Sequence, residues 1–287
     1  MKISVLGTGL MGAPLAMRLL GGDYSVFVWN RTPEKAEPLV AGGAELCTTP
    51  ADAIAASECV ILMLSDVRAI VDVLFSDEAR EAIRGKTVIQ MGTIEPRESR
   101  AIGEEVGRLE GVYLEAPVLG STPEAKKGEL LLMVGADKDV YTEWLPVLRN
   151  FGKDPLLVGP VGQGAAMKLG MNQLIASLTS GFALSLGLVR HEGVPVELFM
   201  DVLRNSALYA PTFDKKLDRM MRRDFSSPNF PLKHLDKDVK LFLKAAAEHP
   251  LGLSGLKGVE QLLERAILEG MADEDYSAIY DVIDRKS

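Results

Sequence analysis

The 287-residue sequence is poor in the side chains that build disulfide frameworks and metal centres. It has only two cysteines, Cys47 and Cys59, and three histidines, and no Cys/His cluster shows metal-ligand spacing. Neither a disulfide-stapled fold nor a zinc site is indicated, and no metal site is predicted.

The sequence also lacks an excess of positive charge. It has 32 basic and 40 acidic residues, for a formal net charge of -8. This balance argues against general binding to nucleic acid or to a membrane surface. Met1 and Lys2 lead directly into an apolar run, so we expect no cleavable leader and a reducing, cytoplasmic location.

Charge is absent altogether from residues 169–189, a stretch that approaches the length of a membrane span. The stretch carries several polar side chains, among them Asn172, Thr179 and Ser180. We therefore interpret it as part of a helix buried inside the protein, with a membrane span as the alternative.

What the sequence does contain is an alternation of short apolar runs and helical patterns. Strands are predicted at residues 3–6, 25–29, 59–63, 87–91, 112–115, 130–134 and 156–158, and helices between them include 33–41, 50–56 and 95–108. Apolar strands separated by helices are typical of a sheet covered on both faces. Residues 1–162 are therefore predicted to form a Rossmann-type, doubly wound α/β domain.

The pattern changes near residue 162, and no further strand is predicted. Helices are expected at 163–192, 196–205, 211–222, 235–248, 256–269 and 277–285. Residues 163–287 are accordingly predicted to form a second, all-helical domain.

The most specific motif follows the first predicted strand and consists of Gly7, Thr8, Gly9, Leu10, Met11 and Gly12. In dinucleotide-binding folds the first glycine permits a tight turn and the second lets the main chain approach the pyrophosphate. The third lets the following helix pack closely on the sheet, and the free amides of that helix face the phosphates. An ordinary strand-turn-helix corner is the alternative, but the strand before and the helix after favour a dinucleotide site.

The second predicted strand is followed by Asn30, Arg31 and Thr32. An NAD-specific site usually carries an acidic residue here, which binds the ribose hydroxyls. An acid would repel a 2′-phosphate, whereas a guanidinium binds one through paired hydrogen bonds. The expected cofactor is therefore NADP(H).

Lys168 and Asn172 are the strongest candidates for chemistry. They lie four residues apart on one face of the predicted helix 163–192, near its start, where we expect a cleft between domains. Lys168 is the only charged residue between Asp154 and Arg190. Burial would lower the pKa of this lysine towards neutrality, which suits a proton donor and acceptor, although a snorkelling or acid-paired structural lysine is the alternative.

Other candidates follow predicted strands or open a helix. Loops at the carboxyl ends of strands could line a cofactor crevice, with an ordinary surface turn as the alternative for residues 120–122. Lys237 could reach a cofactor or a substrate anion, although ordinary ion pairing at a charged helix start is the favoured interpretation. The loop candidates are Met63, Leu64, Ser65, Thr93, Gly120, Ser121 and Thr122.

Taken together, these segments resemble the β-hydroxyacid dehydrogenase family over essentially the whole chain. The matching segments are 7–12, 30–32, 63–66, 115–118, 162–164 with Lys168 and Asn172, and 230–238. Within the family, segments 30–32, 63–66 and 230–234 are most similar to NADPH-dependent glyoxylate/succinic semialdehyde reductases. The resemblance implies a Rossmann domain followed by a helical domain, and a homodimer or homotetramer built on the helical domain.

The resemblance also implies residue roles. Lys168 would be the catalytic acid/base, with Asn172 orienting the substrate. Thr93 and Lys237 would contact the cofactor, and Phe230 and Asp238 would line the substrate site together with Gly120, Ser121 and Thr122.

One position departs from the family pattern, because Leu119 stands where the family has a serine that helps to hold the substrate carboxylate. An unpaired polar substrate group would cost about 1 kcal/mol or more, which argues against glyoxylate as the substrate.

The expected function is NADPH-dependent reduction of a small aldehyde acid, such as succinic semialdehyde, to a hydroxy acid. One alternative is an NAD(P)-dependent 3-hydroxy acid dehydrogenase of the 3-hydroxyisobutyrate type. Others are a non-catalytic NADP-binding scaffold and, less favoured, imine reduction on a similar fold.

Overall fold

The computed structural model describes residues 1–285, so residues 286–287 of the predicted helical domain lie outside the described residues. The chain divides into two compact units, residues 1–169 and the residues from Gly170 onward.

The first unit is built on a nine-stranded sheet, counted within residues 1–285. The strand order is β3-β2-β1-β4-β5-β6-β8-β7, with β9 beside β8. The strands are β1 Lys2–Leu6, β2 Ser25–Trp29, β3 Glu45–Leu46, β4 Cys59–Leu62, β5 Thr87–Gln90, β6 Val112–Glu115, β7 Val118–Leu119, β8 Leu131–Gly135 and β9 Leu156–Gly159.

Strands β1 to β6 pair in parallel, and their order is that of a doubly wound dinucleotide-binding sheet. The predicted fold class is confirmed. β8 runs antiparallel to β6 and β7, which lets the chain turn back at that edge of the sheet. The two-residue strands β3 and β7 were not predicted, because they are too short for a period-2 pattern.

Helices cover both faces of this sheet. Adjacent residues of one strand enter different cores: Val5 and Ile61 pack in one cluster, and Leu6 and Leu62 pack in the other. The helices are α1 Gly12–Leu20, α2 Glu37–Ala41, α3 Pro50–Ala56, α4 Val67–Leu74, α5 Asp77–Ala82, α6 Pro96–Arg108, α7 Thr122–Lys127, α8 Lys138–Leu148 and α9 Gln163–His191.

The second unit contains the rest of α9 and further helices around one apolar core, which includes Leu186, Phe213 and Tyr280. These helices are α10 Val196–Arg204, α11 Pro211–Arg222, α12 Leu232–Ala246, α13 Ser254–Leu268 and α14 Ile279–Ile283. The only strand-like pairing among its described residues is an isolated bridge between Pro231 and Asp275.

Several helix boundaries differ from the prediction, among them the start of α12. α12 begins at Leu232 rather than at residue 235, because the main-chain N–H groups of Leu232 and Lys233 find acceptors in the oxygens of Glu274 and Ala272. The predicted helix 277–285 is a 3-10 turn, Tyr276–Ala278, followed by the short α14.

Within residues 1–285, α9 is the one helix with the length and apolar composition of a membrane span, and 44% of its most apolar 18-residue window is buried inside the protein. Such a helix is also typical of a protein core. One side is in the core, as shown by Phe182 and Leu186. A stripe on the other side is exposed and consists of Leu174, Leu178, Leu184 and Leu188.

Candidate active site

The loop between β1 and α1 is packed so closely that two of its glycines admit no side chain. A Cβ atom at Gly7 would collide with the main-chain oxygen of Met63, and one at Gly12 would collide with the oxygen of Gly7. Gly7 also has φ +98°, a conformation that favours glycine. Gly9 differs, since it is exposed and a Cβ atom there would meet nothing within 4 Å. The loop therefore combines close packing on the sheet with one bare, open stretch of main chain.

The start of α1 offers main-chain N–H groups beside this open stretch. Met11 makes no capping side-chain hydrogen bond at the helix N-terminus. Uncapped amides at a helix start favour an anion such as a phosphate.

Asn30 fixes the same loop from the end of β2. Its Oδ1 accepts a hydrogen bond from the Thr8 main-chain N–H at 3.0 Å, and its Nδ2 donates to the Thr32 oxygen at 2.8 Å. Both the oxygen and the nitrogen of this amide are therefore hydrogen-bonded to the main chain, so Asn30 supports the loop. Arg31 and Thr32 follow it and are exposed.

The loops after β1, β4 and β5 meet at the carboxyl edge of the sheet. β1 lies between β2 and β4, which is where the strand order reverses and where such sheets bind ligands. A Cβ atom at Gly92, next to Thr93, would lie 2.7 Å from the Leu64 oxygen. The structure thus brings Met63, Leu64 and the segment before Thr93 to the edge that carries the glycine loop, and these residues fit a dinucleotide.

Residues 119–122 adjoin the glycine loop. The Thr122 hydroxyl lies 3.4 Å from the Leu10 main-chain oxygen. Ser121 is the N-cap residue of α7, and both its main-chain N–H and its Oγ donate to Glu124 Oε2, at 2.9 and 2.6 Å. Ser121 therefore has a structural role in addition to its predicted one. Leu119, on β7, is only partly buried.

Lys168 lies in the first unit, in the second turn of α9, and is 8% exposed. The turn before it is held by the carboxylate of Glu115, which accepts hydrogen bonds from the main-chain N–H groups of Gly162 and Ala165 at 2.7 and 3.0 Å. Glu115 carried no predicted role. Its contacts are 47 and 50 residues away in sequence, so no local pattern reveals them.

In the second unit, three predicted site residues form one cluster. Asn172 Nδ2 donates to Asp238 Oδ2 at 2.6 Å, and the other oxygen of Asp238 lies 3.1 Å from Lys237 Nζ as an ion pair. Asn172 and Asp238 are buried, at 1% and 3% exposed. Asp238 thus fixes which way the Asn172 amide is turned and links α9 to α12.

Phe230 stands beside a histidine that carried no predicted role. The His234 ring lies parallel to it, with 6.5 Å between centroids and 9° between planes. Burial, aided by the charge of Lys237, lowers the pKa of His234, which favours the neutral ring at pH 7.

Within residues 1–285, no group of three or more His, Cys, Asp or Glu side chains is arranged to hold a metal ion.

The sheet order and the open loop at its switch point are those of a dinucleotide-binding domain. Residues 2–162 match the family described as the NAD binding domain of 6-phosphogluconate dehydrogenase. Residues 162–283 match the family described as NAD-binding of NADP-dependent 3-hydroxyisobutyrate dehydrogenase.

Individual proteins are similar over the whole chain. Glyoxylate/succinic semialdehyde reductase 1 of Arabidopsis thaliana is 33% identical, with 99% of this chain and 98% of that protein covered. Its chloroplastic counterpart, reductase 2, is 31% identical, with 98% and 79% covered. The Mycobacterium tuberculosis 3-hydroxyisobutyrate dehydrogenase, solved with L-serine, superposes with a TM-score of 0.90 at 23% identity, and 99% of each chain is covered. The chain belongs to the β-hydroxyacid dehydrogenase family, whose members are oxidoreductases acting on hydroxyl and carbonyl groups.

Gly9 and Gly12 have different surroundings, so a side chain at each position should have a different effect. Gly9→Val should leave the melting temperature nearly unchanged, because its side chain enters open space, yet should weaken dinucleotide binding about tenfold or more, which corresponds to about 1.4 kcal/mol. Gly12→Val is the matched control and should destabilise the fold itself. Titration of intrinsic fluorescence and thermal unfolding measure the two effects. Unchanged binding by a folded Gly9→Val protein would contradict the assignment of this loop.

Proposed function

We propose that the protein is an NADPH-dependent reductase of small aldehyde acids such as succinic semialdehyde, with a hydroxy acid as the product. The observation that carries this proposal is the buried Lys168, placed four residues before an asparagine whose amide is held by Asp238. The sequence identity of 33% to glyoxylate/succinic semialdehyde reductase 1 supports the substrate class.

The proposed chemistry divides between cofactor and protein. When bound, the reduced nicotinamide supplies the hydride. Lys168 Nζ donates a proton to the substrate oxygen as negative charge develops on it, and accepts that proton in the reverse direction. Asn172 orients the substrate through its amide, which Asp238 holds in one position. Stabilising a developing oxyanion with fixed donors is the protein's main contribution.

Leu119 narrows the substrate class. It places an apolar, partly buried side chain next to Gly120, which has φ +131°. The Leu119 side chain offers no hydrogen bond to glyoxylate, whereas it can pack against the methylene groups of a longer aldehyde acid. This position therefore favours a four-carbon substrate over glyoxylate.

The role of Lys168 can be tested directly. Lys168→Ala should lower kcat for NADPH-dependent reduction of succinic semialdehyde by about 10²- to 10⁴-fold, because a general acid is removed, while NADPH binding is kept. Lys153→Ala, an exposed lysine of the same unit, is the control and should behave as wild type. A Lys168→Ala enzyme with near-normal turnover would refute the proposal. Absence of aldehyde-dependent NADPH consumption by the wild type would favour the scaffold alternative.

Preference for NADPH is proposed to come from the exposed guanidinium of Arg31. Arg31→Ala should raise KM for NADPH about 10- to 100-fold and leave KM for NADH unchanged, since paired charge-assisted hydrogen bonds to the 2′-phosphate are lost. Arg84→Ala, an exposed arginine paired with Glu110, is the control. Equal efficiency of the wild type with NADH, and faster oxidation of 3-hydroxyisobutyrate than aldehyde reduction, would instead support the second candidate, a 3-hydroxy acid dehydrogenase.

The exposed leucine stripe of α9 is proposed to pack against a second copy of this chain in a homodimer or homotetramer. Its four leucines occupy one side of the helix and form an apolar surface that residues 1–285 leave exposed. Light scattering should give a dimer or tetramer for the wild type and a monomer for Leu184→Glu with Leu188→Glu. The control is Leu131→Glu on the sheet, where the leucine is 63% exposed like Leu188. A monomeric wild type, or one that partitions into lipid vesicles, would contradict this proposal.

A further inference from the structure

Glu115 is a fully buried acid at the end of β6, with 0% of its surface exposed. Oε1 accepts hydrogen bonds from the main-chain N–H groups of Gly162 and Ala165, at the start of α9. Oε2 accepts one from the Ser99 hydroxyl of α6, which lies 2.9 Å from the Tyr113 hydroxyl. One carboxylate therefore joins a central strand, a flanking helix and the first turn of α9.

The surrounding glycines leave room for this carboxylate. A Cβ atom at Gly135 would collide with Oε1 of Glu115, and the three nearest atoms it would meet all belong to that side chain. A Cβ atom at Gly164 would lie 3.1 Å from the same oxygen. A larger residue at Gly135 would displace the carboxylate from the helix start, whereas one at Gly164 would first collide with the main-chain oxygen of Met133.

The arrangement suits a helix N-terminus, where the first main-chain N–H groups have no partner inside the helix and the dipole favours negative charge. It also has a cost. Burial raises the pKa of Glu115, and the hydrogen bonds from Ser99 and from the main chain offset this only in part. Burial of this acid therefore contributes little to stability by itself.

We propose that Glu115 is a positioning residue for catalysis, because it fixes the first turn of the helix that carries Lys168. Ala165, which donates to Glu115, is three residues before Lys168, less than one helical turn. A shift of this turn along or around the helix axis moves the lysine amine with it, and displacements of about 1 Å in a catalytic group lower turnover by about 100-fold. The inference rests on the proposed role of Lys168.

The test compares variants that differ in where they place the acceptor oxygen. Glu115→Gln keeps an oxygen at the same reach and should retain kcat within about threefold. Glu115→Asp withdraws the acceptor by one methylene group and should lower kcat at least about tenfold, with KM for NADPH changed less than about twofold, because the dinucleotide loop is untouched. Gly135→Ala moves the carboxylate without removing it and should show the same loss, which keeps the test valid if Glu115→Asp does not fold.

Tyr113→Phe is the matched control. It removes a hydroxyl of the same buried network that is hydrogen-bonded to Ser99 of α6 and not to Glu115 or the start of α9, so it should lower the melting temperature and leave kcat unchanged. Hydrogen exchange supplies a readout independent of catalysis: amides of residues 162–168 should exchange faster in Glu115→Asp and in Gly135→Ala than in Tyr113→Phe.

The outcomes separate this inference from the proposed function. A folded Glu115→Asp or Gly135→Ala protein with wild-type kcat and wild-type exchange at residues 162–168 would overturn it, as would an equal loss of kcat in Tyr113→Phe. If Lys168→Ala keeps its activity, the proposed function fails, and the exchange data still report whether Glu115 holds the helix start.

Discussion

Close contact between two stretches of main chain is the constraint on which the first unit depends. The turn after β1 lies directly against the oxygen of Met63, and α1 begins against the oxygen of Gly7, so neither Gly7 nor Gly12 has space for a side chain. This packing seats α1 on the sheet and leaves Gly9 bare. Without it, the uncapped amides of α1 would not stand at the edge where the strand order reverses.

α9 is held separately in each unit. At its start Glu115 accepts from the first main-chain N–H groups. Near its end Arg190 donates to the buried carboxylate of Asp284 at 3.1 Å. Burial opposes ionisation of Asp284, but hydrogen bonds from Tyr280 and His191 and the charge of Arg223 outweigh it and keep the pKa of this carboxyl below its usual value. The helix that carries Lys168 and Asn172 is thus anchored by a buried acid near each end.

Local patterns predicted the fold and indicated most candidate positions for cofactor and substrate binding. This was possible because glycine spacing, apolar runs and helix start signals depend on residues that are close together in the sequence. They could not predict contacts between distant residues. The bond between Asn172 and Asp238 spans 66 positions, and that between Glu115 and Gly162 spans 47. Nor does residue type show that Asn30 supports the loop or that the Ser121 hydroxyl donates to Glu124, since the same side chains also bind ligands.

In the proposed reaction, a protonated Lys168 delivers the proton that completes carbonyl reduction. The most direct test is the pH dependence of kcat/KM for succinic semialdehyde reduction with saturating NADPH, measured together with oxidation of the product hydroxy acid. We expect that reduction declines at high pH through one deprotonation, that oxidation rises through the same ionisation, and that Lys168→Arg loses this dependence. Reduction and oxidation profiles that share no ionisation, or a wild-type profile retained by Lys168→Arg, would contradict it.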